Sequence, residues 1–151
     1  MGQHWLLSSA ARDLSLLNLA DMTEDDAFVY FCTARWGNDS EQSCSACGVI
    51  DSHYFRKGRR QWRCKHCGSY FSVTTKTIWA DRKLSFKKML LMLFVFSSSP
   101  NGVSASALCR QVGIGYKTAW TFCHKVREAL ARTEDNSLMT GEIHVDGGHF
   151  G

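Results

Sequence analysis

The spacing of apolar and polar positions divides the 151-residue chain into a helical beginning, a strand-rich middle and a helical end. Residues 5 to 19 are apolar at irregular helical spacing, through Trp5, Leu6, Leu14 and Leu17, and predict a weak helix. A clearer start follows. Thr23 can cap a helix whose third position, Asp26, puts a carboxylate at the positive end of the helix dipole. Phe28, Phe31, Cys32 and Arg35-Trp36 continue at helical spacing, and Gly37 closes the segment. Asn38 to Ser43 reads as a polar loop.

From Cys44 the pattern shortens to β elements. His53 to Arg56 and Gln61 to Cys64 predict two strands around Lys57-Gly58-Arg59-Arg60, a tight basic turn in which Gly58 is free to take a positive φ. Tyr70 to Val73 predicts a third strand. Helical spacing returns at Ser85 and runs through Lys87, Leu90, Leu91 and Phe94 to about Ser97, until the chain's one proline, in Ser98 to Gly102, breaks it. Two more helices are predicted, Ser104 to Val112 and Tyr116 to Arg132, separated by Gly113-Ile114-Gly115. Thr133 to Thr140 reads as polar linker and Glu142 to Val145 as the first strand of a new unit.

The middle section carries the strongest chemical signal. Cys44-Ser45-Ala46-Cys47 and Cys64-Lys65-His66-Cys67 are two Cys-x-x-Cys knuckles with sixteen residues between them. Four thiolates suit a tetrahedral zinc ion, and the intervening hairpin can bring the two pairs together. Gly48 and Gly68 follow the pairs and let the backbone turn where its N–H groups approach the sulfurs. Cys44, Cys47, Cys64 and Cys67 are the expected ligands of a structural zinc, since four protein ligands leave no position open for catalysis. His66 is a ligand by type, but it sits inside a complete set and reads better as an exposed or DNA-facing side chain. Cys32, Cys109 and Cys123 fall on apolar helical faces and read as core thiols.

In the last predicted helix Ala119, Phe122, Cys123, Val126 and Leu130 form one apolar stripe, with Lys117, Thr121, His124 and Glu128 on the other side. Before it, Ala107, Leu108 and Val112 point inward from a helix that Ser104 can cap. Two helices joined by a short glycine-containing turn make a helix-turn-helix pattern whose second member can enter a major groove. Lys117 would then reach base or phosphate, Thr118 a phosphate and Thr121 a base, while Tyr116 and Trp120 pack either on DNA or on the protein.

Charge supports a polyanionic partner. The net charge of +4 conceals fifteen Lys and Arg against one acid, Asp81, between residues 52 and 127, with acidic segments on both sides. The hairpin alone offers Arg56, Lys57, Arg59, Arg60, Arg63 and Lys65 for phosphate contacts, which position a protein without specifying sequence. The longest apolar run, Met89 to Phe96, has eight residues, against about 20 for a membrane-spanning helix. No export signal opens the chain, so a soluble protein with reduced thiols is expected.

The order of these pieces resembles a known family. A helix ending in Arg35-Trp36 is followed by CSAC, a basic hairpin, WRCKHCGSYFSVTTKTIWADRKLSFKK, then GYKTAW, HKVREAL and GEIHVD. This is similar to the insertion-sequence transposases that join an N-terminal zinc ribbon and helix-turn-helix to a DDE-type catalytic domain, over residues 14 to the end. The resemblance implies a mixed α+β fold: a helical segment at 1–40, a zinc ribbon at 41–75, a helical helix-turn-helix region at 84–132, and at 141–151 the first strand of a truncated RNase H-like domain. It implies that Asp146 is the first acid of a catalytic triad. Such triads hold two divalent metals, usually Mg2+, which is expected only for a complete catalytic domain, because one aspartate cannot bind both ions. Many relatives continue with Glu-Thr-Tyr after that acid, where this chain has Gly147 to Gly151.

The implied function is recognition of the terminal inverted repeats of an insertion element, on double-stranded DNA, as the DNA-binding part of a transposase inactive alone. A homodimer or higher oligomer is compatible with the full-length protein, and the resemblance implies a bacterial, nucleoid-associated cytoplasmic setting. Two other readings compete: a zinc-ribbon, helix-turn-helix regulator without catalysis, and a ribbon that binds proteins. The basic hairpin argues against the latter, and the terminal GEIHVD argues for the transposase over the regulator.

Overall fold

The structure, a computed structural model, describes residues 15–38, 40–99 and 101–132. Helix α1 spans Leu16–Asp21 and α2 Glu24–Trp36. Five short strands follow: β1 Gln42–Ser43, β2 Ile50–Asp51, β3 Tyr54–Arg56, β4 Gln61–Arg63 and β5 Tyr70–Phe71. The described chain ends in α3 Phe86–Ser98, α4 Ala105–Val112 and α5 Tyr116–Arg132. The fold is thus mixed helix and small sheet. No helix among the described residues is long and apolar enough to cross a membrane.

Local chemistry accounts for the helix starts. Thr23 and Asp26 form a reciprocal capping box, in which the Asp26 N–H donates to Thr23 Oγ1 at 3.2 Å and the Thr23 N–H donates to Asp26 Oδ2 at 3.0 Å. Ser15, Ser85 and Ser104 cap α1, α3 and α4 by accepting from the backbone N–H three residues on. Of the weak helix expected at 5–19, only the end lies within the described residues, where α1 begins at Leu16 and runs on to Asp21. The linker at 133–140, the strand at 142–145 and Asp146 also lie outside them.

Strand pairing departs from the sequence reading in three places. The loop expected at 38–43 contains β1, which pairs antiparallel with β2 across the first cysteine knuckle. The third strand stops at Phe71, and Val73 is buried within a turn. At the hairpin tip the positive φ belongs to Arg60 (47°), and Gly58 has none. The tip is a 3-10 turn at Lys57–Arg59 whose closing residue is Arg60, with its N–H donating to the Lys57 carbonyl at 3.2 Å. A non-glycine residue in this conformation costs about 1–2 kcal/mol; the Arg60 ion pairs described below hold it there.

The sheet β3-β4-β5 has two unlike faces. Register places Phe55, Trp62 and Phe71 in one row and Tyr54, Arg63 and Tyr70 in the other. Trp62 and Phe71 are buried beneath α2, where Phe28 stacks on Trp62 at 5.6 Å and Trp36 meets it edge-on at 5.1 Å. Leu19, Cys44, Cys64, Phe86 and Leu90 complete this first core. A second core gathers Met92, Val103, Leu108, Ala119, Phe122, Cys123 and Val126. Helix α3 serves both, with Phe86 and Leu90 in the first and Met92 in the second. Leu130, expected on the buried stripe of α5, is 56% exposed, so the buried part of the stripe ends at Val126. Cys32 and Cys123 are buried, as core thiols should be, while Cys109 is half-buried.

Candidate metal centre and nucleic-acid interface

Each knuckle is built the same way. The Cys44 N–H donates to the Val49 carbonyl at 2.9 Å and the Gly48 N–H to the Cys44 carbonyl at 2.9 Å; the Cys64 N–H donates to Ser69 at 2.9 Å and the Gly68 N–H to Cys64 at 3.1 Å. Gly48 and Gly68 close these turns at φ of 76° and 72°, the left-handed region where a Cβ is disfavoured. Backbone N–H groups of Ala46 and Cys67 point at the Cys44 and Cys64 sulfurs, at 3.4 and 3.5 Å.

These turns bring Cys44, Cys47, Cys64 and Cys67 together, with all four Sγ atoms within 4.8 Å of one another. Cys44 and Cys67 are 3.7 Å apart, as are Cys47 and Cys64. A tetrahedron with zinc–sulfur bonds of about 2.3 Å has edges of about 3.8 Å. The donor set therefore fits a zinc ion, with Cys44 and Cys64 buried and Cys47 and Cys67 facing solvent. The bare thiols do not ionise alike. The Ser69 hydroxyl and N–H hold Cys67 down to about 6. The Val49 N–H favours the Cys47 thiolate, yet burial and the neighbouring sulfurs outweigh it and push that thiol up to about 12. Four adjacent thiolates repel one another, and a divalent cation removes that conflict; its binding releases protons.

A residue the sequence reading passed over joins the knuckles. His53 is buried, with Nε2 3.3 Å from the Val49 carbonyl and Nδ1 accepting from the Lys65 N–H at 3.4 Å. The ring thereby bridges the backbone of the two knuckles. Its ring meets Phe71 edge-on at 5.3 Å. His66 is exposed and lies 3.4 Å from Asp51 Oδ2, outside the sulfur quartet. The Ser52 N–H, with Lys65 and His66, keeps the Asp51 carboxyl below its ordinary range despite some desolvation.

Of the hairpin cations, Arg56, Lys57, Arg59, Arg63 and Lys65 are exposed. Arg56 and Arg63 lie over the Tyr70 ring at 5.3 and 6.0 Å, and Lys65 over Tyr54 at 5.7 Å, so the exposed sheet row holds charge against aromatic faces. Arg60 differs. Its guanidinium donates to Glu24 at 3.0 Å and to Asp25 at 2.6 Å and lies 5.6 Å from the Phe28 ring centre. Glu24 also accepts the N–H groups of Phe86 at 2.7 Å and Lys87 at 3.0 Å, so one carboxylate ties α2, the hairpin tip and the start of α3. On α5, Lys117, Thr118 and Thr121 are exposed beside one another, and the Thr121 hydroxyl donates to the Lys117 carbonyl at 2.9 Å. Tyr116 and Trp120 are also exposed, with the Trp120 and His124 ring centres 4.0 Å apart and the planes tilted by 48°.

Residues 22–70 match the family model of a transposase zinc-ribbon domain. The match spans about a third of the 151-residue chain, includes all of α2 and holds the four clustered cysteines. This part of the chain thus matches a transposase zinc ribbon and has four cysteines positioned to hold a metal ion. Searches of curated proteins and of solved structures find no match.

Proposed function

We propose that the chain is the DNA-recognition part of a DDE-type transposase, binding duplex DNA at the ends of its element. The observation that carries this reading is the transposase-type ribbon at residues 22–70, whose exposed side bears Arg56, Lys57, Arg59, Arg63 and Lys65. In this reading α4 and α5 act as a helix-turn-helix, with Lys117, Thr118 and Thr121 entering the major groove. Zinc holds the ribbon rigid and takes no part in chemistry. Asp146 would be the first of several acids that together hold Mg2+; alone it cannot support strand cleavage.

Fluorescence anisotropy with a labelled duplex tests the proposal. Binding should weaken steeply with salt, approaching a slope of about −5 if the five hairpin cations and Lys117 each neutralise a phosphate. Lys117→Ala should lose about 1–3 kcal/mol on the cognate site and less on random DNA if it reads a base. The purified 151 residues with Mg2+ should leave the duplex uncut. A salt-insensitive interaction, or none at low ionic strength, would defeat the reading.

A further inference from the structure

The segment joining β5 to α3 carries cations to which the reading above gives no role. Arg35 pins its start by donating to the carbonyls of Ser72, Val73 and Thr75 at 3.2, 2.5 and 2.9 Å. Lys76 and Asp81 then take left-handed conformations, φ 59° and 57°. Arg82 lays its guanidinium 3.4 Å above the Phe86 ring and donates to the Leu84 carbonyl. Its Nε–H is buried with no partner among the described residues.

This segment forms a wall shared by two clefts. The first, of about 380 Å³, lies between it and the hairpin and is lined by Arg59, Lys76, Arg82 and Lys83 with a single acid, Asp81; the Lys76 ammonium donates to the Ser45 carbonyl at 2.6 Å. Arg60 also reaches this cleft, but its charge is met by Glu24 and Asp25. The second, of about 340 Å³, has Asp81, Arg82 and Lys83 on one side and Lys117, Thr121 and Lys125 of α5 on the other. Arg59 and Lys83 are exposed and have no partner among the described residues. Both clefts are half-open to solvent, and the first is lined mainly by polar atoms, as a chain of phosphates requires.

We propose that residues 76–83 are a phosphodiester-binding strap. Arg59 and Lys83 would clamp backbone phosphate of the duplex in the first cleft, and Lys83 would pass the strand on to the groove beside Lys117. This rests on the DNA-binding reading and adds to it: hairpin and α5 would follow one continuous run of backbone, with the strap between them.

The zinc-loaded full chain, titrated with a labelled duplex across a salt series, tests this. Lys83→Ala and Arg59→Ala should each flatten the slope by about 0.9, and the double variant by about 1.8, equally on cognate and random duplexes. Lys83→Arg should restore the wild-type slope. Zinc content and the thermal midpoint should not change, because neither side chain supports the fold. If the double variant keeps the wild-type slope while Lys117→Ala weakens binding, the strap is wrong and the DNA-binding reading stands. If the wild-type chain fails to bind duplex at low salt, both fall together.

Discussion

Cys44 and Cys64 are buried in the same core as Trp62 and Phe71, while Cys47 and Cys67 face solvent, so the metal would join the interior of the ribbon to its surface. His53 supports this from behind, by bonding to the backbone of both knuckles. Cys67→Ser should lose zinc outright. His53→Ala should keep four ligands but bind zinc about tenfold less tightly, a cost typical of groups that orient metal ligands. Competition with a chromophoric chelator measures both, and an unchanged His53→Ala affinity would remove the histidine from the site. The cysteines were legible in the sequence because a Cys-x-x-Cys knuckle is a local device. His53 was not, because its role comes from a contact with Lys65 twelve residues away.

Helix boundaries were legible for the same local reason: Thr23, Ser85 and Ser104 carry their capping chemistry with them. The strands were less so. β1 and β5 are two residues long, too short for alternation to register, and they exist because of their partners across the knuckles. Arg60 shows the limit of composition most clearly. Five of the hairpin's six cations are exposed, and Arg60 instead joins Glu24 and Asp25, a contact over 35 residues or more that no local pattern announces.

At this scale Glu24 is the carboxylate that joins α2, the hairpin tip and α3. Glu24→Ala should cost about 2–3 kcal/mol, since hydrogen bonds to a charged group from two helix-end N–H donors and Arg60 disappear together. Burial raises its pKa, but the Lys87 and Phe86 N–H groups and Arg60 outweigh that, leaving it below the ordinary 4.5. Arg82 adds to the positive surroundings. A depressed folded pKa means a contribution fully present above about pH 4.5 and lost as the pH falls through the folded value. The stability gap between wild type and Glu24→Ala in urea should therefore narrow below that pH. Taking the difference at each pH cancels the acid release of zinc, which both proteins share.

Across the whole molecule the two cores are coupled. The sequence suggested a ribbon and a helical region side by side; the structure gives each a share of α3. A ribbon of about 30 residues has too little interior to stand alone, and α2 and α3 supply what it lacks. Zinc removal should therefore reach beyond the cysteines. With about 10–16 kcal/mol of apparent zinc binding energy withdrawn, Phe86 and Leu90 lose their packing and the helical pair should melt at a lower temperature too. Far-ultraviolet circular dichroism with and without chelator would register this. Helical signal that melts at the same temperature after chelation would mean that the cores are independent.

The single helix that passes from one core to the other also fixes a geometry. One residue added to or lost from α3 would turn everything downstream by about 100° and move it about 1.5 Å along the axis. Insertions should thus be refused between Ser85 and Ser98 and better tolerated in the loop that leads from Ser98 to α4. Lineages carrying this arrangement should inherit the helix as an uncounted ruler, its length held constant while the sequence around it drifts.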